Sequence, residues 1–162
     1  SLNFAVRLVR RATPLNAPEP KLIDNQDGTV SDVSTGLMWM GCAIGQTWNG
    51  KEFLGEPKSY KWDEIDNIPL SFAEFNDWRL PSFHELNTII DRSRVNPAID
   101  TTIFQQQTRS GGWSDQWYWT ANRAVWHERA INAIDFYSGA VSAIDNKPDD
   151  MNYVRLVRGE WL

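Results

Sequence analysis

The sequence predicts an α+β fold of antiparallel strands and hairpins, with two helices and long loops. Three observations predict it. Strand-like runs joined by Gly-containing turns lie towards both ends of the chain. Helix signals are confined to residues 59–90, and strand and helix do not alternate along the chain as they would around a parallel sheet. The 162 residues suffice for one domain with a sizeable core.

The elements follow in order. Residues 4–11 contain Val6-Arg7-Leu8-Val9-Arg10, which returns unchanged as Val154-Arg155-Leu156-Val157-Arg158. Both copies alternate apolar and basic residues, as a half-buried strand does. The bland reading is chance similarity of two short strands. We prefer to read residues 1–11 as the terminal strand of an upstream tandem repeat, open to self-association by adding to a sheet edge. Pro14, Pro18 and Pro20 make residues 12–20 an extended linker. The domain proper then spans residues 21–162.

Asp27-Gly28 between the runs 21–24 and 29–33 predicts a hairpin, because Gly takes positive φ at low cost. A turn at Ser34-Thr35-Gly36 leads into a buried strand over residues 37–40, and residues 41–58 read as loop. Residues 59–75 carry modest helix signals, interrupted at Pro69. The second helix is better marked. Ser82 and Glu85 form a capping box, and Leu86, Ile89 and Ile90 share a face up to a stop at residues 93–97. Residues 99–112 read as loop, 117–120 as strand, 130–136 and 140–144 as a second hairpin, and 152–158 as the last strand.

Composition excludes several function classes. Net charge is −5, and no run of Lys or Arg offers a nucleic-acid footprint. No apolar stretch approaches the ~18 residues that span a bilayer. The lone Cys42 excludes an intramolecular disulfide and a cysteine metal site, and leaves the compartment open. The Asp24–Gly28 stretch lacks the ligand spacing of a calcium loop, so we expect a turn and no metal. His84 falls in the first turn of a helix, facing solvent, and no nucleophile–base pattern or phosphate loop is present. With 21 acids, carboxylate pairs arise freely and do not by themselves signal a glycosidase. We expect no catalytic residue and no cofactor.

Six blocks in order carry a family resemblance. They are Asp24-Asn25-Gln26-Asp27-Gly28-Thr29-Val30-Ser31-Asp32, Thr35-Gly36-Leu37-Met38-Trp39, and Asn76-Asp77-Trp78-Arg79-Leu80-Pro81 with Glu85-Leu86. Then come Tyr118-Trp119-Thr120, Asp135-Phe136 with Ser138-Gly139, and Tyr153-Val154-Arg155-Leu156-Val157-Arg158-Gly159. Together they resemble the C-terminal domain family named after the Legionella collagen-like adhesin. The resemblance implies a C-type-lectin-like fold in which the first and last strands pair. It implies an exported bacterial module, secreted, periplasmic or on the cell surface, often in tandem copies. The name-giving adhesin binds sulfated glycosaminoglycans; the acidic charge of this chain does not carry that ligand over.

Within Asp77-Trp78-Arg79-Leu80-Pro81 we expect Arg79 to pair with a carboxylate such as Asp77 or Glu85, tying helix to sheet, rather than to bind an anion. The chain has nine Trp, and the candidate binding residues are Trp113, Trp117, Arg123, Trp126, His127 and Arg129. Flat aromatic faces beside planar polar side chains suit a sugar's C–H faces and hydroxyl edges. The competing reading places most of these Trp in the core under a long loop, whereas the functional reading keeps one or two exposed, Trp113 and Trp126, in the flanking loops. Alternation sets Trp117 and Trp119 on one side of a strand and Tyr118 on the other. The functional expectation is a non-catalytic binding or adhesion module for a glycan or protein ligand. The alternative is a structural interaction module of a tandem surface protein, with no small ligand.

Overall fold

The computed structural model describes residues 22–68, 70–105, 117–125, 129–145 and 150–162. The proposed upstream strand, the Pro-rich linker, Pro69 and the candidates Trp113, Trp126 and His127 lie outside the described residues. What is described is a small mixed fold, mostly strands in several sheets, with two short helices.

The first sheet grows from the first hairpin. Strands β1 (Leu22–Asp24) and β2 (Thr29–Asp32) pair antiparallel, with Asp24 opposite Val30. Asp27 Oδ1 accepts from the Thr29 amide at 2.9 Å and holds the turn. Gly28 has φ +87°, and a Cβ there would meet the Phe72 ring at 2.8 Å, so the turn needs glycine for conformation and for space. The predicted second turn, braced by Asp32, leads into β3 (Leu37–Met40). Residues 41–58 are not all loop: β4 (Thr47–Trp48) and β5 (Phe53–Leu54) form a two-stranded hairpin, where Trp48 packs 4.9 Å from Phe53. Strands of two residues leave no periodicity to read.

The expected helix over 59–75 is largely replaced. Ser59–Tyr60 is a strand, β6, followed by a 3-10 helix, Trp62–Asn67, and Phe72 and Phe75 then bridge each other across a tight turn. Trp62 Nε1 donates to the Thr120 carbonyl at 2.9 Å, a tertiary bond that outranks weak local propensity. The capping box forms as predicted and starts α1 (Phe83–Thr88), although the helix ends earlier than the sequence suggests. The Glu85 amide donates to Ser82 Oγ at 3.0 Å, and the Ser82 amide donates to Glu85 Oε2 at 2.8 Å.

The second sheet has five strands, in the order β6, β10 (Asn152–Tyr153), β7 (Trp117–Arg123), β8 (Ala130–Asp135), β9 (Val141–Asp145). The predicted hairpin is β8–β9, turned by Asp135, whose carboxylate accepts from the Tyr137 and Ser138 amides. The side-chain alternation on β7 divides the interior. Tyr118 enters one hydrophobic cluster with Trp39, Phe104 and Phe136, while Trp119 enters a second with Trp78, Ile131 and Leu156.

Residues 152–158 are not one alternating strand. The chain leaves the second sheet after Tyr153, crosses, and pairs Val157 and Arg158 with β3 as β11 (Val157–Arg158). The first sheet is therefore ordered β1-β2-β3-β11, and the last strand pairs with β3 instead of the first strand. Arg155 is fully buried, not solvated. Its Nη1 donates to the Met40 carbonyl at 2.9 Å, and its guanidinium lies 5.0 Å from the Phe104 ring centre.

Candidate functional site

Of the sequence-predicted residues Trp117, Arg123 and Arg129 are described, and Trp117 stands apart from the two arginines. Trp117 is half-buried against the second cluster at the start of β7. Arg123 ends β7 and Arg129 precedes β8; both are exposed and flank the turn of that hairpin. Six residues of strand, up to about 20 Å, separate Trp117 from Arg123. The described Trp residues mostly support the core reading. Trp39, Trp78 and Trp119 are buried, Trp48, Trp62 and Trp117 are half-buried, and Trp161 is exposed.

A bulge organises the end of β7. Trp119 faces Ala133, yet Arg123 faces Ile131, so four residues of β7 run against two of β8. The irregular backbone bonds to other elements. The Ala121 amide donates to the Pro81 carbonyl at 2.8 Å, and Asn122 Oδ1 accepts from the Phe83 amide at 2.6 Å. Trp62 is tied in by its bond to Thr120. The Arg123 guanidinium sits over the Trp62 ring at 4.7 Å, a cation–π contact worth ~0.5–1 kcal/mol at an exposed site. Sequence reasoning missed Trp62 because it assigned that side chain to a helix face, and no local signal marks a partner 61 residues away.

A cavity of about 250 Å³ opens two residues before Trp62, at Tyr60. Met40 and Leu156 line it, so it lies where the chain crosses between the sheets, and Phe72 adds an aromatic face. Gln46, Tyr60 and Ser71 are its polar groups; no charged side chain lines it. Burial pushes the Tyr60 phenol above its usual range, so it stays a neutral hydrogen-bonding group. A larger hollow of about 340 Å³ beside Ile89–Ser93 is a weaker candidate, because its acids are already engaged. Asp91 holds Ser93 and Arg94, and Asp100 holds Thr102 and Arg94.

The other ionisable groups serve structure. Arg79 pairs with Glu85, not Asp77, through two bonds of 2.8 Å, and Asp77 pairs with Arg158 at 2.7 and 3.0 Å. Glu85 is fully buried, and burial alone would raise its pKa. The Arg79 bonds, with the Ser82 and Leu162 amides, hold it below the ordinary carboxylate range. Burial pushes the Cys42 thiol up to about 12, only partly offset by the charge of Arg155. His84 is exposed in the first turn of α1. Among the described residues no three His, Cys, Asp or Glu gather as a metal site, and no helix is long and apolar enough to cross a membrane.

The sequence profile of the Lcl C-terminal domain matches residues 28–158, well over half of the chain. The chain belongs to the Lcl C-terminal domain family. The match begins at the hairpin glycine and ends at the arginine of β11, so the family unit takes in the second sheet, the first sheet apart from β1, α1 and the Trp62–Arg123 contact. No curated protein matches the chain.

Proposed function

We propose that this Lcl C-terminal domain is a non-catalytic binding module, displayed outside the cell or on its surface, that takes a glycan or protein ligand where Arg123 stacks on Trp62. The observation that carries this reading is that stack, its arginine exposed at the end of β7 and its half-buried Trp62 two residues along the chain from Tyr60 of the cavity. A cation on an aromatic ring offers a charged donor and a flat face together. The neighbouring cavity offers a neutral aromatic wall with an amide and two hydroxyls. Such a combination suits a saccharide ring with its substituents. The exposed Arg129 on the other side of the turn extends the surface.

The surface location rests on the family, and the scaffold is read as C-type-lectin-like on the same ground. The non-catalytic reading is supported by the commitments of the buried groups. Glu85 is saturated by an arginine and two amides, and the Cys42 thiol is protonated at neutral pH. A glycan array and a surface-attachment assay, run with the wild type and with Arg123→Ala and Trp62→Phe, test the proposal. Binding that drops at least tenfold in Arg123→Ala, with a melting temperature lowered by no more than a few degrees, is expected. Binding untouched by both substitutions overturns the assignment of the site.

A further inference from the structure

The β1–β2 and β4–β5 hairpins meet at Gly28. Its missing side chain makes room for rings: a Cβ there would lie 2.8 Å from Phe72, 3.0 Å from Phe53 and 3.1 Å from Trp48 Cδ2. Trp48 stands opposite Phe53 in the β4–β5 pair and packs against its ring at 4.9 Å. The indole is thereby held from within while it stays half-buried. It lines a hollow of about 310 Å³, together with the exposed residues Asp24, Gln26, Gly50 and Lys51.

The polar groups around that ring are open to a ligand. Asp24 Oδ1 accepts from the Gln26 amide at 2.8 Å, and its second oxygen has no partner among the described residues. The Gln26 side-chain amide, the Lys51 ammonium and the Trp48 indole N–H make no bond there either. The backbone that carries them is fixed. The Lys51 amide donates to Asn49 Oδ1 at 2.9 Å, while Asn25 directs its side chain to Thr29 and Ser31. Gln26 takes φ +62°, a left-handed conformation that Gly or Asn adopts at less cost. The turn alone does not explain a glutamine there, because its side chain braces nothing. Strain of this kind persists where a side chain serves a site.

We propose that this hollow is a saccharide site that seats one neutral pyranose ring against Trp48. The indole offers a flat face to the C–H face of the ring. Around it Asp24 accepts, Lys51 and the indole N–H donate, and the Gln26 amide does both, which matches hydroxyls that each donate and accept. The charges of Asp24 and Lys51 cancel, so the site holds no excess field for a sulfated or carboxylated ring. Its volume lies at the low end of the ~300–1,000 Å³ of small-molecule sites, room for one ring and not for a chain. It shares no residue with the Arg123–Trp62 surface and stands whether or not that surface binds.

The test titrates the whole, isotope-labelled chain with the methyl glycosides of glucose, galactose, mannose and N-acetylglucosamine, and with a sulfated glucose, while amide chemical shifts are followed. At least one neutral glycoside, at millimolar concentration, is expected to shift the amides of residues 24–26 and 48–51 saturably. The sulfated sugar is expected to bind no tighter. Gln26→Gly suits the φ of the turn, so it should melt within a few degrees of the wild type and yet bind about threefold or more weaker. Lys51→Met keeps the apolar stem and should weaken the same shifts by about as much. Trp48→Ala should abolish them, but Trp48 also packs, so the two exposed variants decide. No saturable shift with any neutral glycoside, shifts at residues 60–62 and 123 instead, or full affinity in both Gln26→Gly and Lys51→Met overturns the proposal. Tighter binding of the sulfated sugar overturns the assignment to a neutral ring.

Discussion

Replacing Glu85 by Ala removes the carboxylate that joins α1, the strand-like segment at Arg79 and the chain end. Four hydrogen bonds are lost: two from Arg79 at 2.8 Å, one from the Ser82 amide at 2.8 Å, and one from the Leu162 amide at 3.2 Å. At ~1.5–3 kcal/mol for each bond to a charged group, a simple sum gives ~6–12 kcal/mol. That sum is too large, because the bonds share one acceptor and are not additive. Deleting one partner of a buried ion pair costs about 3–5 kcal/mol, mostly through the charge left behind. The Arg79 side chain keeps 18 % of its exposure, so water relieves part of the penalty and the lower end of the range applies. We expect Glu85→Ala to cost ~3 kcal/mol in urea unfolding followed by Trp fluorescence at pH 7. Ser82→Ala breaks only the cap and should cost ~1 kcal/mol. Because Glu85 has a lowered pKa when folded, its contribution is present above its unfolded value of 4.5 and is lost as pH falls through the folded value. Below pH 4.5 the wild type should therefore lose stability more steeply than Glu85→Gln. If Glu85→Ala costs no more than Ser82→Ala, the carboxylate is only a helix cap and the clamp does not exist.

Other outcomes follow from the same contacts. Cys42, fully buried and with its thiol pushed up to about 12, should not react with a thiol reagent at pH 8 until the chain is unfolded; rapid native labelling would contradict its placement. Calcium or EDTA should leave the melting temperature unchanged, because Asp24 and Asp27 already hold the hairpin amides; a calcium-dependent rise of several degrees would contradict this. Gly28→Ala should destabilise by more than ~1 kcal/mol, from its positive φ and the 2.8 Å approach of Phe72; a neutral melt would show that the turn relaxes freely.

What could be read from the sequence was local. The Asp27-Gly28 hairpin, the Ser82–Glu85 capping box and the β8–β9 hairpin are each fixed by chemistry within a few residues, and each forms where expected. The pairing of Arg79 with Glu85 was one of two local options, and the structure selects it because Asp77 meets Arg158 from the other end of the chain. What failed was set by distance. The apolar residues around Trp62 suggested a helix, but their orientation follows from Thr120, 58 residues on. The site suffered most. Arg123 was singled out as a binding candidate and is exposed, whereas the ring beneath it, Trp62, lay in a segment read for packing alone. In residues 154–158 the alternation of Val, Arg, Leu and Val implied one wet face. It misled because a second sheet covers that face, a fact carried by residues far away in sequence.

Arg155 raises a sharper question, since a buried cation is a costly way to fill a core. Its Nε and Nη2 find no hydrogen-bond partner among the described residues, and burial pulls its pKa below the usual value. Removing such a charge from water costs several kcal/mol. One bond to the Met40 carbonyl returns a charge-assisted ~1.5–3 kcal/mol, and the three rings, at 5.0, 5.7 and 5.8 Å, return ~0.5–2 kcal/mol each at best. These terms roughly cancel, so net stabilisation does not account for the residue. Register does. Val154 and Leu156 are both buried apolar side chains, and a slip of one residue would exchange their places with Arg155 and turn every side chain to the opposite sheet. Only the arginine makes that slip expensive, because its charge must leave the aromatic cage. Arg155→Met should therefore leave global stability within ~2 kcal/mol of the wild type, or raise it. At the same time the amides of residues 154–158 should exchange hydrogen faster relative to the β7–β8 pair. A loss above ~3 kcal/mol, or unchanged exchange in the closing segment, would show that the guanidinium is there for energy and not for register.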